Sequence, residues 1–169
     1  SYYIKHKQYD NARADCTNGI KLMKDGEQSK KQTFGFGSAL YSQDLGILSS
    51  ATADASLALA YHQRGLAEHG LAQYARAIDD FKLAITLEPQ SAMVHEGLGD
   101  VYSSLGQSDA AVNHYNTVLD INPARVEVRL KRGLHHSLLH HYDASLHDLT
   151  YVLEHGQERP EIYYSRGWV

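Results

Sequence analysis

Gly65, Gly99, Gly133 and Gly167 stand at one constant interval of 34 residues. A fixed period of that length marks an array of similar helical units that stack on their neighbours, in place of a chain folded around one closed core. The surroundings repeat with the glycine. Four residues before it stand Tyr61, His95, Arg129 and Tyr163, and six after it Leu71, Leu105 and Leu139. Twelve after it come Ala77, Ala111 and Ser145, sixteen after it Phe81, Tyr115 and Leu149, and nineteen after it Ala84, Val118 and Val152. Steps of four and three residues draw the apolar stripe of an amphipathic helix.

The residues around each glycine form another helix, and the two pack as a hairpin. Glycine inside a helix costs about 1 kcal/mol relative to alanine. Its return at one slot therefore predicts close helix approach, with Ala77, Ala111 and Ser145 as further small residues and Phe81 and Tyr115 filling the space against the following helix. Pro89 and Pro123 lack an amide donor and end two of the units, pushing Glu88 and Asn122 towards extended geometry. The third unit holds Gln157 at that place. It is expected to end on Gly156, with Pro160 opening the next helix.

Gly65-Leu66-Ala67, the run Tyr74 to Phe81, Leu98-Gly99-Asp100-Val101-Tyr102, Leu105-Gly106, Ala111, Tyr115, Ile121-Asn122-Pro123 and Ser165-Arg166-Gly167 together resemble the tetratricopeptide-repeat family. The resemblance covers residues 55–169. It implies an all-α fold, a right-handed α-solenoid of stacked antiparallel helix hairpins, with repeats over 55–91, 92–125 and 126–159 and the start of a further one over 160–169. Departures gather in the third unit, where His136, His140 and Ser145 replace the Tyr, Gly and Ala that the family favours.

Tyr3, Tyr9, Ala12 and Cys16 stand in the relation of Tyr102, Ser108, Ala111 and Tyr115. Residues 1–26 are accordingly expected to be a partial repeat, the end of a first helix plus a second helix. Residues 27–54 break the period and carry Gly35, Gly37 and Gly46, so they are expected as an insertion or linker, or as a degenerate repeat. Both ends fall midway along a first helix, which leads to the expectation that the chain is a segment of a longer repeat protein.

Composition narrows the function. A net charge of −4 gives no support for a nucleic-acid partner, and no stretch has the apolar length of a membrane span. Cys16 is alone, so no internal disulfide forms, and the chain is compatible with a reducing compartment; a cytoplasmic setting is expected. Cys16 itself is expected in the core. Phe34-Gly35-Phe36-Gly37 lacks the lysine and spacing of a phosphate-binding loop, and Asp79-Asp80 is expected as a surface pair. With no catalytic constellation, the chain is expected to be no enzyme and to need no cofactor. The run from His135 to His141 is the best candidate for chemistry. His136 and His140, four apart, would share a helix face as in some zinc sites, yet no cysteine completes a set. These histidines are expected to be structural or surface groups.

In the family the first helix of each pair lines a concave surface. The resemblance thus implies a ligand-facing set of His62, Leu66, Met93, Glu96, Asp100, Glu127, Leu130, Lys131, Leu134 and Tyr164. Lys131 is the only permanent cation among them. This mixture implies a protein or peptide partner with apolar anchors and some basic residues. Family members that clamp the C-terminal carboxylate of chaperones do so with lysine, asparagine and arginine. Those places here hold His62, Leu66, Gly97, Glu127 and Lys131, so that clamp is not supported. The asparagine ladder of another branch is likewise replaced, by Gln63, Gly97, Lys131 and Ser165. The function expected is a non-catalytic interaction scaffold or adaptor, with a regulatory arm of an enzyme as the alternative.

Overall fold

The computed structural model describes residues 2–33, 43–155, 162, 163 and 167, and these contain seven α-helices. The chain divides into two compact units, residues 1–89 and 90–169, with the boundary directly after Pro89. The first unit holds α1 (Tyr2–Thr33), α2 (Gln43–Gly70) and α3 (Tyr74–Leu87). The second holds α4 (Ala92–Ser104), α5 (Ser108–Ile121), α6 (Val126–Leu138) and α7 (Tyr142–Glu154). Gly65, Gly99 and Gly133 each lie on the first helix of an antiparallel pair, α2 with α3, α4 with α5 and α6 with α7.

Close approach at the glycine is what joins each pair. A Cβ added at Gly65 would stand 2.8 Å from the Phe81 ring, and one at Gly99 would meet the Tyr115 ring more tightly still. At Gly133 the neighbours are Leu149 and the Asp148 Cβ, no nearer than 3.1 Å. The large residue sixteen places on therefore covers the glycine of its own hairpin. Tyr115 also reaches the following helix, since it packs in one core cluster with Val118, Leu119 and Val128. Phe81, Tyr115 and Leu149 are essentially inaccessible to solvent, as are Ala77, Ala111 and Ser145 beside them.

The turns repeat as faithfully. Ala72 (φ 57°), Gly106 (φ 71°) and His140 (φ 61°) each stand seven residues after a repeat glycine and adopt the left-handed conformation. In each turn an amide reaches back over five residues, Gln73 to the Glu68 carbonyl, Gln107 to Tyr102 and His141 to His136, closing the first helix at 2.8–2.9 Å. Glycine adopts that conformation freely; Ala72 and His140 do so at a cost of about 1–2 kcal/mol. The proline punctuation holds as well: α3 stops at Leu87 and α5 at Ile121, with Asn122 extended at φ −140°. Gly156, Gln157 and Pro160 lie outside the described residues.

The N-terminal region differs from the sequence reading. Residues 1–26 were expected to contain a helix end, a turn and a second helix, but α1 is one continuous helix over Tyr2–Thr33. In register with Gly106 stands Lys7, and the stretch Ile4 to Gln8 holds neither Gly nor Pro, so nothing forces the left-handed residue a turn needs. The expected linker over 27–54 also shrinks, because residues 27–33 end α1 and 43–54 begin α2. Residues 34–42, which include Phe34-Gly35-Phe36-Gly37, lie outside the described residues.

The third hairpin places a hydroxyl at the small-residue slot. Ser145 fills the slot held by Ala77 and Ala111, is fully buried, and its hydroxyl has no hydrogen-bond partner. Ser145→Ala should therefore raise stability, by about 1 kcal/mol, as read from denaturant unfolding. Gly99→Ala should lower it by the cost of overpacking, about 1–3 kcal/mol, less about 1 kcal/mol gained in helix propensity. Gly133→Ala, with looser neighbours, should cost less than Gly99→Ala in the same measurement, and equal effects would contradict the geometry.

Candidate functional site

Helical spacing places Met93, Glu96 and Asp100 on one face of α4, and Glu127, Lys131, Leu134 and Leu138 on one face of α6. Lys131 joins these faces. Its Nζ donates to both Asp100 oxygens at 2.8 Å and to Glu96 Oε1 at 3.1 Å. Arg125 Nη2 donates to Glu96 Oε2, and the Tyr115 hydroxyl donates to Asp100 Oδ1 at 2.8 Å. Burial works against the Lys131 ammonium, but the hydrogen bonds and charges of Asp100 and then Glu96 outweigh it and hold its pKa above the usual value. Burial, reinforced by Asp100, pushes the Tyr115 phenol far above its ordinary range, so it stays neutral and keeps the proton that it donates to Asp100.

The predicted residues thus separate. Glu96, Asp100 and Lys131 come together in this ionic lattice. Met93 (53 % exposed) and Leu134 (37 %) stand at the surface, as does Glu127. Leu130 does not face outwards: it is buried in a cluster with Leu149, Val152 and Ile162. In the first unit Leu66 is partly exposed, whereas His62 is buried with its ring 5.7 Å from that of Phe81. Tyr164 lies outside the described residues. The acids expected to attract a basic partner are largely spent, since Glu96 and Asp100 both bond Lys131 and Glu96 also bonds Arg125. Arg125 escaped the sequence reading because it lies just before α6, outside the periodic set.

Sequence reasoning also missed two buried ion pairs. Arg64 grips Asp80 with two bonds of 2.7 Å, and Arg132 grips Asp148 in the same fork, also at 2.7 Å. The Asp80 bond is what chiefly raises the Arg64 pKa. Asp80 is therefore buried, which corrects the expected surface pair; Asp79 beside it is exposed. A signal was present, for an arginine directly before the glycine is matched by an aspartate directly before the large residue in the first and third hairpins. In the middle hairpin Leu98 and His114 take those places. Here the His114 ring stacks on Tyr102, centroids 5.5 Å apart, and its Nδ1 lies 3.2 Å from that of His95.

The histidine run resolves into separate roles. His135 is buried between serine hydroxyls, Nε2 at 2.8 Å from Ser103 Oγ and Nδ1 at 3.0 Å from Ser108 Oγ. Burial holds its pKa low against the opposing pull of Asp100. His140 sits in the turn and not on the helix, so it shares no face with His136. Among the described residues no three His, Cys, Asp or Glu side chains gather in a form that could hold a metal. Cys16 is partly buried, and that burial raises its thiol pKa, which leaves it little thiolate.

Among the described residues no helix is long and apolar enough to cross a membrane. Family models match two stretches, a tetratricopeptide-repeat model residues 58–91 and a TPR-repeat model residues 99–138. No curated protein matches the chain. Similar solved structures include the first TPR domain of Spaghetti bound to an HSP90 peptide, SRMEEVD. It is 18 % identical with a TM-score of 0.62, the match covering 67 % of this chain and 90 % of that one. YrrB, a TPR protein with an unusual peptide-binding site, is 19 % identical with a TM-score of 0.63, covering 99 % of this chain and 80 % of that one. A tetratricopeptide repeat protein from Parabacteroides merdae is 16 % identical with a TM-score of 0.65, covering 99 % of this chain and 58 % of that one. At these identities the likeness is one of fold.

Burial lowers the His114 pKa from 6.5, with His95 adding to the effect. The unfolded chain then takes up this proton first as pH falls below about 6.5, so stability declines on acidification and levels off below the folded pKa. Thermal melts between about pH 7.5 and 5.5 should show that decline. The His114→Phe variant, which keeps an aromatic ring on Tyr102, should show a smaller one; an equal decline would remove His114 as a source.

Proposed function

This chain belongs to the tetratricopeptide-repeat family, and on that premise we propose that it is a non-catalytic scaffold that receives a segment of a partner protein on the first-helix face of its second unit. The family's general role as a protein-interaction module supports the class. One observation supports the place. The charges of Glu96, Asp100, Lys131 and Arg125 are matched against each other, while Met93, Leu134 and Leu138 on the same two helix faces remain exposed.

A surface built in this way gains from covering apolar side chains at about 25 cal/mol per Å² and does not have to strip water from unpaired charges. The partner segment is therefore chiefly apolar. Counting Glu127, three carboxylates oppose two cations, so the face keeps a net negative charge that favours some basic residues in the partner. The carboxylate clamp is not part of this reading: Lys131, the one cation at a matching place, is already bonded to Asp100 and Glu96.

Panning a random peptide library against the chain should enrich apolar sequences with a positive net charge. Met93→Asp with Leu134→Asp should weaken their binding by at least about tenfold, or 1.4 kcal/mol. Glu127→Lys should weaken it less and in a salt-dependent way. Enrichment of acidic peptides, or equal capture by the double variant, would overturn the reading.

A further inference from the structure

The turn between α6 and α7 brings together a pair of imidazoles that the scaffold function does not use. His136, in the last turn of α6, and His141, directly before α7, place their Nδ1 atoms 3.4 Å apart, with ring centroids 5.6 Å apart and planes tilted by 49°. Neither nitrogen has moved there by helical periodicity. The left-handed residue His140 reverses the chain and carries His141 back beside the end of the helix.

That separation is informative. Hydrogen bonds from N–H donors cluster at about 2.7–3.2 Å, so 3.4 Å is long for a bond between two imidazoles. Zinc–nitrogen bonds of about 2.0–2.1 Å at a tetrahedral angle set two ligand nitrogens about 3.3–3.4 Å apart. The pair at His95 and His114 makes the contrast: it lies at 3.2 Å, within hydrogen-bond range, and one of its rings is stacked on Tyr102. His140 is otherwise engaged, its Nδ1 standing 2.8 Å from the Tyr142 hydroxyl.

We propose that His136 and His141 form a two-histidine site at the α6–α7 turn for a divalent transition-metal ion of zinc, nickel or copper type. Both ligands would bind through Nδ1. The remaining coordination positions belong to water, which makes this an open surface site in place of a closed structural one. Because the bite spans the turn, an occupied site ties the end of α6 to the start of α7.

The test is a calorimetric titration of the tag-free chain with Zn²⁺ and with Ni²⁺ near neutral pH. One ion should bind per chain. Loss of even an outer-sphere partner costs about 10–100-fold in affinity, so His136→Gln and His141→Gln should each weaken binding by at least about tenfold. His140→Asn and His147→Gln should leave it within about twofold. In the folded wild-type chain, sub-stoichiometric Cu²⁺ should broaden the ring protons of His136 and His141 before those of other histidines, a readout that needs no variant. The site is refuted by absence of uptake at millimolar ion, by undiminished binding in either glutamine variant, by an equal loss in His140→Asn, or by broadening that starts elsewhere.

Discussion

The approach of two helix backbones at the repeat glycine governs most of what else this chain can do. With Gly65 beneath Phe81 and Gly99 beneath Tyr115, the first helix contributes no side chain at that point, and the ring packed on the glycine sets the separation of the pair. The residue before the glycine is then brought opposite the residue before the ring. In two hairpins these are arginine and aspartate, and they meet in a forked pair. Removing such charges from water is expensive, and the pair recovers that cost only with good geometry and satisfied hydrogen bonds. Asp148 has both: Arg132 bonds its two oxygens, Arg129 approaches at 3.4 Å, and Arg132 also bonds Asn116 of the preceding helix. In the middle hairpin Leu98 and stacked aromatic rings take that place, with no buried charge to compensate.

The same constraint positions the proposed binding face. Once α4 and α6 are held by their partners, Glu96 and Asp100 lie within reach of Lys131, and the three lock into one lattice with Arg125. Surface ion pairs are individually worth little. Their contribution here is order: Lys131, which would otherwise move, is held by three bonds and Glu96 by two. The exposed methionine and leucines are thereby presented from a rigid polar frame, as a site built on helices should be.

Periodicity made the hairpins legible because a stripe at steps of three and four, a glycine and a closing proline all point to one arrangement. It failed at α1 because similarity of Tyr3, Tyr9, Ala12 and Cys16 to a later repeat says nothing of the turn between them. That turn depends on a single left-handed residue, and Lys7 has no reason to adopt that geometry. Register likewise identifies a helix face but not the depth of each side chain on it, so Leu130 and His62 were placed at the surface when they are buried. Charge pairing was the least visible. Lys131 and Glu96 are 35 residues apart and Lys131 and Asp100 are 31 apart, spacings for which no local rule exists. The buried Arg–Asp pairs were discoverable, since they recur with the repeat, but only by comparing charges and not apolar residues between units.

The fastening between glycine and ring closes between positions only sixteen apart in the chain. A duplicated gene segment of that kind arrives with its own joint already complete and needs no compensating change elsewhere. Arrays assembled in this way can lengthen by copying, and each new copy is then free to drift at positions outside the joint. The middle hairpin differs from its neighbours in this way, for it holds stacked rings where they hold an ionic pair, yet it keeps a glycine packed beneath a ring.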